Sequence, residues 1–412
     1  MVDWYLVSVL IFAAFLALLV YLDRKNWKRE SILLLRKTQK GKAFLIWLGN
    51  RFPRFWKAVG ALAVVITLIS SVWFIWVLFQ SAGLILAGVI KSPGGILIPL
   101  PSNQTVSGPG FVGVPFWYWI ISIAVLVVVH EGMHGVMAAR EKVRIKSLGV
   151  GLLAVIPMAF VEPDEKQLQR QKSWKQLRVF SAGSFANYVT ALIFILILSL
   201  SFSAAFAPRG VVFLNVTGGS PAFLANVTYP GVILSINNQT VEGRQGLADM
   251  LTEIGPNREI EIQALALDGN QTREVKYTLV TGEALDANGN PTGRGLIGIQ
   301  NILDGNDLVN PFTSTQLFLA ESDLSYLFMI RQDLAPFAGP IFFIFGLMSF
   351  LFLINFGVGL FNMLPIGPLD GGRMWNIIIS RITPSHSKAI MRALTIATTT
   401  FVIVVIFVLP FL

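Results

Sequence analysis

His130-Glu131-Gly132-Met133-His134 is an H-E-x-x-H sequence within a strongly apolar stretch. Residues four apart on a helix share a face, so two imidazoles at this spacing can grip one metal ion. Glu131 lies on the same turn and can take a proton from a water activated by that metal. The residues before the motif, Phe116 to Val129, contain no charge and only one serine. The combination implies hydrolytic chemistry carried out inside a lipid bilayer.

A catalytic zinc needs three protein ligands and one open position. The chain has three histidines, His130, His134 and His386, and no cysteine. His386 follows Pro384-Ser385 in a polar stretch and reads as an exposed loop residue, so a carboxylate is the expected third ligand. Asp370 is the only acidic residue after Asp333. An ionisable group at a membrane border is costly unless paired, so it marks a functional position. A helix cap at the cytoplasmic surface is the other reading of Asp370; beside the H-E-x-x-H sequence, ligation is the reading taken.

The elements that position these groups follow from hydropathy. Of 412 residues, 54% are hydrophobic and 13% charged, with a mean hydropathy of +0.66. Soluble domains carry about 25% charged residues, so the expected fold is a polytopic α-helical membrane protein of about six transmembrane helices. The spans are expected near 4–22, 57–80, 116–139, 178–205, 338–360 and 388–410. The stretch 148–161 is apolar but short and interrupted by Gly149, Gly151 and Pro157, and reads as a re-entrant or interfacial segment packed on protein.

Lys and Arg concentrate in residues 24–57, in 140–178 and after Asp370. With six spans all three loops fall on one side, which is then cytoplasmic. The net charge of +9 is thereby read as facing anionic lipid, with no nucleic-acid partner. Five Asn-x-Ser/Thr sequons, at Asn103, Asn215, Asn226, Asn238 and Asn270, all fall in the loops assigned outside. His130 to His134 and Asp370 then come to similar depth near the cytoplasmic leaflet.

Four regions follow. Residues 1–114 hold two N-terminal helices with a basic cytoplasmic loop and an outer loop. Residues 115–206 form the first part of a catalytic membrane core, with the H-E-x-x-H helix and the segment at 148–161. Residues 207–310 form a β-rich extracytoplasmic insert. Residues 311–412 form the second part of the core. Within the insert, strands are expected at 211–216, 231–238, 259–265 and 274–279, a short helix at 246–251, and a turn at Asp268-Gly269-Asn270.

These motifs resemble those of the site-2 protease family of intramembrane zinc metalloproteases. That family carries H-E-x-x-H on one membrane helix and N-x-x-P-x-x-x-L-D-G on a later one, matched here from Asn362 through Pro365 to Leu369-Asp370-Gly371. A PDZ domain usually lies between them, and Gly219-Ser220-Pro221-Ala222 followed by Gly231-Val232-Ile233-Leu234 is similar to one. The resemblance covers about residues 115–375. It implies that His130, His134 and Asp370 bind zinc and that Glu131 is the general base. It implies a multi-pass protein of the cell membrane that cleaves single-pass membrane-protein substrates in regulated intramembrane proteolysis. The family element A-G-P-x-x-N is matched by Ala182-Gly183-Ser184-Phe185-Ala186-Asn187, with Ser184 in place of proline. Asn187 and Asn362 either hold substrate backbone or the oxyanion, or form interhelical hydrogen bonds. A non-proteolytic PDZ scaffold and a metal transporter are the rival readings. The first predicts a missing ligand or base, the second a transbilayer pathway and often repeated halves. No internal repeat is visible.

Overall fold

Trp4–Leu22 forms a helix because it is uninterrupted apolar sequence opened by a cap. The Asp3 carboxylate accepts from the amides of Tyr5 and Leu6 at 3.0 and 3.1 Å, satisfying donors that a helix start leaves free. Its 19 residues cover about 28 Å, close to the hydrocarbon thickness of a bilayer. The computed structural model describes residues 3–411 apart from 31, 91–94, 103–104, 109, 154–155, 209, 269–270, 287 and 304–327. The sequons at Asn103 and Asn270, the Gly269-Asn270 turn and residues 304–310 of the insert therefore lie outside the described residues.

The helices are α1 (Trp4–Leu22), α2 (Lys42–Arg51), α3 (Pro53–Leu86), α4 (Phe116–Arg140), α5 (Glu165–Gln169), α6 (Ser173–Ala205), α7 (Pro221–Leu224), α8 (Gly243–Ile254), α9 (Ala338–Asn362), α10 (Asp370–Ile382) and α11 (Ser387–Ile403). Among the described residues six helices are long and apolar enough to cross a membrane: α1, α3, α4, α6, α9 with the 3-10 turn before it, and α11 with the turns after it. Each falls on an expected span. The second is longer than hydropathy indicated, because α3 starts at Pro53, taking in Arg54, and runs on to Leu86.

The chain divides into two compact units, residues 1–194 with 350–412, and residues 195–349. In the first unit the described residues of the stretch 148–161 lie in two paired antiparallel strands. They are β6 (Ile145–Leu153) and β7 (Ile156–Pro163), after the strands β1 (Lys28–Glu30), β2 (Leu33–Thr38), β3 (Ile96–Leu100), β4 (Val106–Gly108) and β5 (Phe111–Pro115). β1, β2, β6 and β7 make one antiparallel sheet in that order. Part of the basic loop at 24–57 is thus a hairpin, with Leu35 opposite Gly151 and Thr38 opposite Leu148. Gly149 faces Phe160 across β6 and β7; the ring lies where a Cβ at 149 would stand, so glycine here seats an aromatic instead of breaking the strand.

Polar contacts tie the first unit's helices together, as expected where apolar attraction between helices is weak in lipid. Ser71 on α3 donates to the Met363 carbonyl at 2.6 Å and accepts from Trp375 Nε1 at 3.0 Å. Ser70 meets the Tyr188 hydroxyl at 2.7 Å. Trp117 Nε1 donates to Ser8 at 2.9 Å, holding α1 to the start of α4. Arg178 donates to Glu141 at 3.1 Å, and both are buried. Gly135 is a close-approach site: a Cβ there would lie 2.7 Å from Leu45 Cδ1.

The second unit contains the β-rich insert. Its main sheet is built from β8 (Val211–Val216), β9 (Gly231–Ile236), β10 (Gln239–Thr240), β11 (Glu259–Asp268), β12 (Gln271–Val280) and β13 (Ile299–Leu303), and runs β12-β11-β9-β8-β13 with β10 beside β9. The expected strands at 211–216, 231–238, 259–265 and 274–279 all lie in it, and the expected helix is the centre of α8. Leu247 and Leu251, four apart on α8, bury against Phe213, Ile233, Ile236, Ile260 and Ile262. Leu198, Phe202, Phe206 and Phe345 form a separate aromatic-rich cluster with Val212 and Val232. Asn215, Asn226 and Asn238 are exposed.

Candidate metal centre

His130 and His134 are successive-turn residues of α4, each 9% exposed. Asp370 is the first residue of α10. Its approach depends on the two glycines after it. Gly371 and Gly372 pack so tightly on the Met363 and Ile366 carbonyls that a Cβ at either would overlap them. α10 can therefore start directly against the Met363–Ile366 turn, which carries Asp370 inward.

The three donors converge. His134 Nε2 lies 3.1 Å from His130 Nε2 and 3.0 Å from Asp370 Oδ2, and His130 Nε2 lies 3.3 Å from the same oxygen. In a tetrahedral zinc shell, ligand atoms stand about 3.3–3.4 Å apart. Two further observations test the fit. First, Gly183 faces the donors without a side chain: a Cβ there would stand 2.5 Å from His134 Nε2, in the space an ion needs. Second, the outward ring nitrogens have partners. His134 Nδ1 lies 2.7 Å from the Val179 carbonyl, so it carries the proton and leaves Nε2 free as a ligand. His130 Nδ1 lies 3.1 Å from the Asn187 amide nitrogen. The Asn187 oxygen is buried without a partner. A half-turn of that amide puts the orphaned oxygen on Nδ1–H, satisfying both groups once Nε2 is committed to a metal. The residues present fit zinc.

Glu131 is partly buried on the same helix. Its Oε2 accepts from the Val161 amide of β7 at 3.0 Å. Asn362, the last residue of α9, sets its Nδ2 3.2 Å from His130 Nε2 and 3.1 Å from Asp370 Oδ2. All six expected site residues therefore meet in the first unit. His386 is exposed and pairs with Ser385; it takes no part. A cavity of about 880 Å³ opens on His130, Glu131, His134, Asn362 and Asp370, with Lys146, Glu162, Glu165, Lys166 and Arg373 among its lining. The Arg373 guanidinium lies 5.4 Å from the Phe180 ring centroid.

Sequence reasoning missed Gly183 and Val161. Gly183 stands inside a quoted motif but carries no group to notice. Val161 acts through its backbone, which no side-chain pattern reports.

Comparison with known proteins agrees with this geometry. The model of peptidase family M50 matches residues 118–407. An uncharacterized protein of Methanocaldococcus jannaschii is 23% identical over 372 residues, 89% of this chain and 84% of that protein. Proteins of Clostridium acetobutylicum and Clostridium perfringens, each named “Putative zinc metalloprotease”, are 23% and 22% identical over 64% of this chain and 86% and 87% of theirs. With the match running from the H-E-x-x-H helix past Asp370, and with six helices of membrane length, the chain belongs to peptidase family M50, the site-2 protease family, as a membrane metalloprotease.

Proposed function

We propose that the protein hydrolyses a peptide bond in or near a transmembrane segment of single-pass membrane proteins, as in regulated intramembrane proteolysis. The observation that carries this reading is the opening of three zinc-type donors and one carboxylate base onto a single cavity in a unit built of membrane-length helices. A helix in lipid has its backbone hydrogen bonded, so a substrate must unwind before it can be cut. Among the described residues β7 is the end strand of its sheet, an edge that an unwound segment can join as an added strand.

His130, His134 and Asp370 would hold a zinc ion, which would supply Lewis-acid polarisation of a carbonyl and a water of lowered pKa. Glu131 takes the proton of the attacking water and returns it to the leaving amine. Asn187, fully buried behind His130, positions that imidazole. Asn362 lines the cavity and is the amide placed to meet a substrate carbonyl or oxyanion. The charged lining gives water a route to the site. It supports an opening near the cytoplasmic leaflet, on the side of the basic loops. The resemblance at Gly219-Ser220-Pro221-Ala222 and Gly231-Val232-Ile233-Leu234 supports a PDZ-like β-rich insert, and the span count supports an extracytoplasmic position, where it excludes bulky ectodomains or binds a trimmed substrate end.

Purified protein should contain one zinc and cleave a single-pass model substrate. Zinc-loaded protein that leaves every such substrate intact would remove the proposal.

A further inference from the structure

Val161 has one backbone N–H, and two acceptors need it. Val161 lies opposite Leu148 in the β6–β7 ladder, yet its amide donates to Glu131 Oε2 at 3.0 Å. A strand residue's N–H points to one side only, with the side alternating along the chain. The Val161 amide therefore faces away from β6, toward the edge where no other strand pairs among the described residues. A segment adding to β7 reaches that edge through the same outward groups, Val161 and, two residues back, Ala159. The rung at Val161 is already held by the base.

The side chains fix this placement. Val161 packs on α4, its Cγ1 3.3 Å from where a Cβ on Gly135 would stand. Gly135 is one turn beyond Glu131, on the same face of the helix. The absence of a side chain at 135 lets β7 lie close enough for the Glu131 carboxylate to reach an edge amide. Glu131 and β7 both border the metal cavity.

We infer that the Val161 amide is a substrate-operated latch on Glu131, a role that rests on the peptidase reading above. Without substrate, Val161 N–H holds the Glu131 carboxylate at the sheet edge. A segment that joins β7 brings its own carbonyl to that N–H and displaces the carboxylate. Glu131 is then free to turn to the water that will attack. Docking of an unwound strand and release of the base become one event. Val161 is thus a positioning residue acting through its backbone. The device favours extended segments long enough to pair with β7 over short peptides that reach the metal without pairing.

The test uses the full-length, zinc-loaded protein in detergent and two substrates: a single-pass model substrate and a quenched tetrapeptide too short to pair along β7. Val161→Pro removes the N–H, and proline is tolerated on an edge strand where that N–H faces outward. The latch predicts a split. The variant cleaves the tetrapeptide with a kcat raised several-fold, because the base is no longer held. It cleaves the membrane substrate with a raised KM, because one docking rung is lost. An equal fall in kcat for both substrates means that Val161 only orients the base, and overturns the latch; so does no change in either. Zinc content verifies the fold of the variant. If zinc is lost, replacing the Val161 residue by its α-hydroxy analogue removes the N–H as an ester and keeps the side chain, with the same split expected. Wild-type protein that retains zinc and cleaves neither substrate overturns the peptidase reading itself, and the latch with it.

Discussion

Gly183 lies flat against His134: a Cβ on this glycine would stand 2.5 Å from His134 Nε2 and 2.7 Å from His130 Nε2. The helix α6 thus forms one wall of the metal site through an absent side chain. Gly183→Ala is expected to crowd the ion rather than unfold the protein, since overpacking typically costs about 1–3 kcal/mol. Zinc affinity should fall at least about tenfold, the equivalent of roughly 1.4 kcal/mol, with a modest change in melting temperature. Chelator competition and a thermal melt check this. Unchanged affinity would mean that the site has slack the geometry does not show.

Glu131→Gln preserves the shape of the side chain and an acceptor for the Val161 amide, but removes the base. Cleavage should fall by about 10²–10⁴-fold, with one zinc still bound. Retention of most activity would move the base elsewhere and contradict the assignment.

The two asparagines are expected to separate by phenotype. Asn187 is buried and absent from the cavity lining, and its amide lies 3.1 Å from His130 Nδ1. Asn187→Ala should weaken zinc binding by about 10–100-fold, as loss of a ligand's outer partner does. Asn362 lines the cavity. Asn362 also donates to Asp370 Oδ2 at 3.1 Å, so Asn362→Ala should weaken zinc binding no more than Asn187→Ala does, and should lower kcat of the zinc-loaded protein by about 10²-fold. Zinc titrations and steady-state kinetics on both variants decide, and the opposite pattern would exchange their roles.

Gly372→Ala places a Cβ on the Ile366 carbonyl. The start of α10 must move, and Asp370 moves with it. Loss of zinc should accompany a destabilisation of about 1–3 kcal/mol. A variant with native zinc affinity would show that Asp370 does not depend on that packing.

Glu162 accepts from Ser147 at 2.6 Å and from Lys37 at 3.2 Å, joining β7 to β6 and β2. The Ser147 hydroxyl first, then the Lys37 ammonium, holds its carboxyl below the ordinary glutamate range. A carboxyl lowered in the folded state stabilises above its unfolded pKa of about 4.3. That contribution is lost as pH falls through the lower folded value. Melting temperature should therefore drop across this acid window in the wild type, and less steeply in Glu162→Gln. Identical acid limbs would remove Glu162 from the sheet's pH response.

Much of this protein was legible without coordinates because the controlling physics is local. Two histidines four apart face one ion on any helix, and runs such as Trp4–Leu22 are apolar enough to span wherever they lie. Asp370 stood out because a lone carboxylate in an apolar segment needs a partner. The tertiary structure decided what depends on distant pairing. Leu33 to Thr38 is a strand because its partners lie in β6, more than a hundred residues away, and its basic composition hides this. The turn of Asn187 toward His130 rather than the cavity follows from how α6 packs on α4. The hold of Val161 on Glu131 and the bare face of Gly183 are made by backbone and empty space. Periodicity and residue type report side chains, so only the packed chain could reveal them.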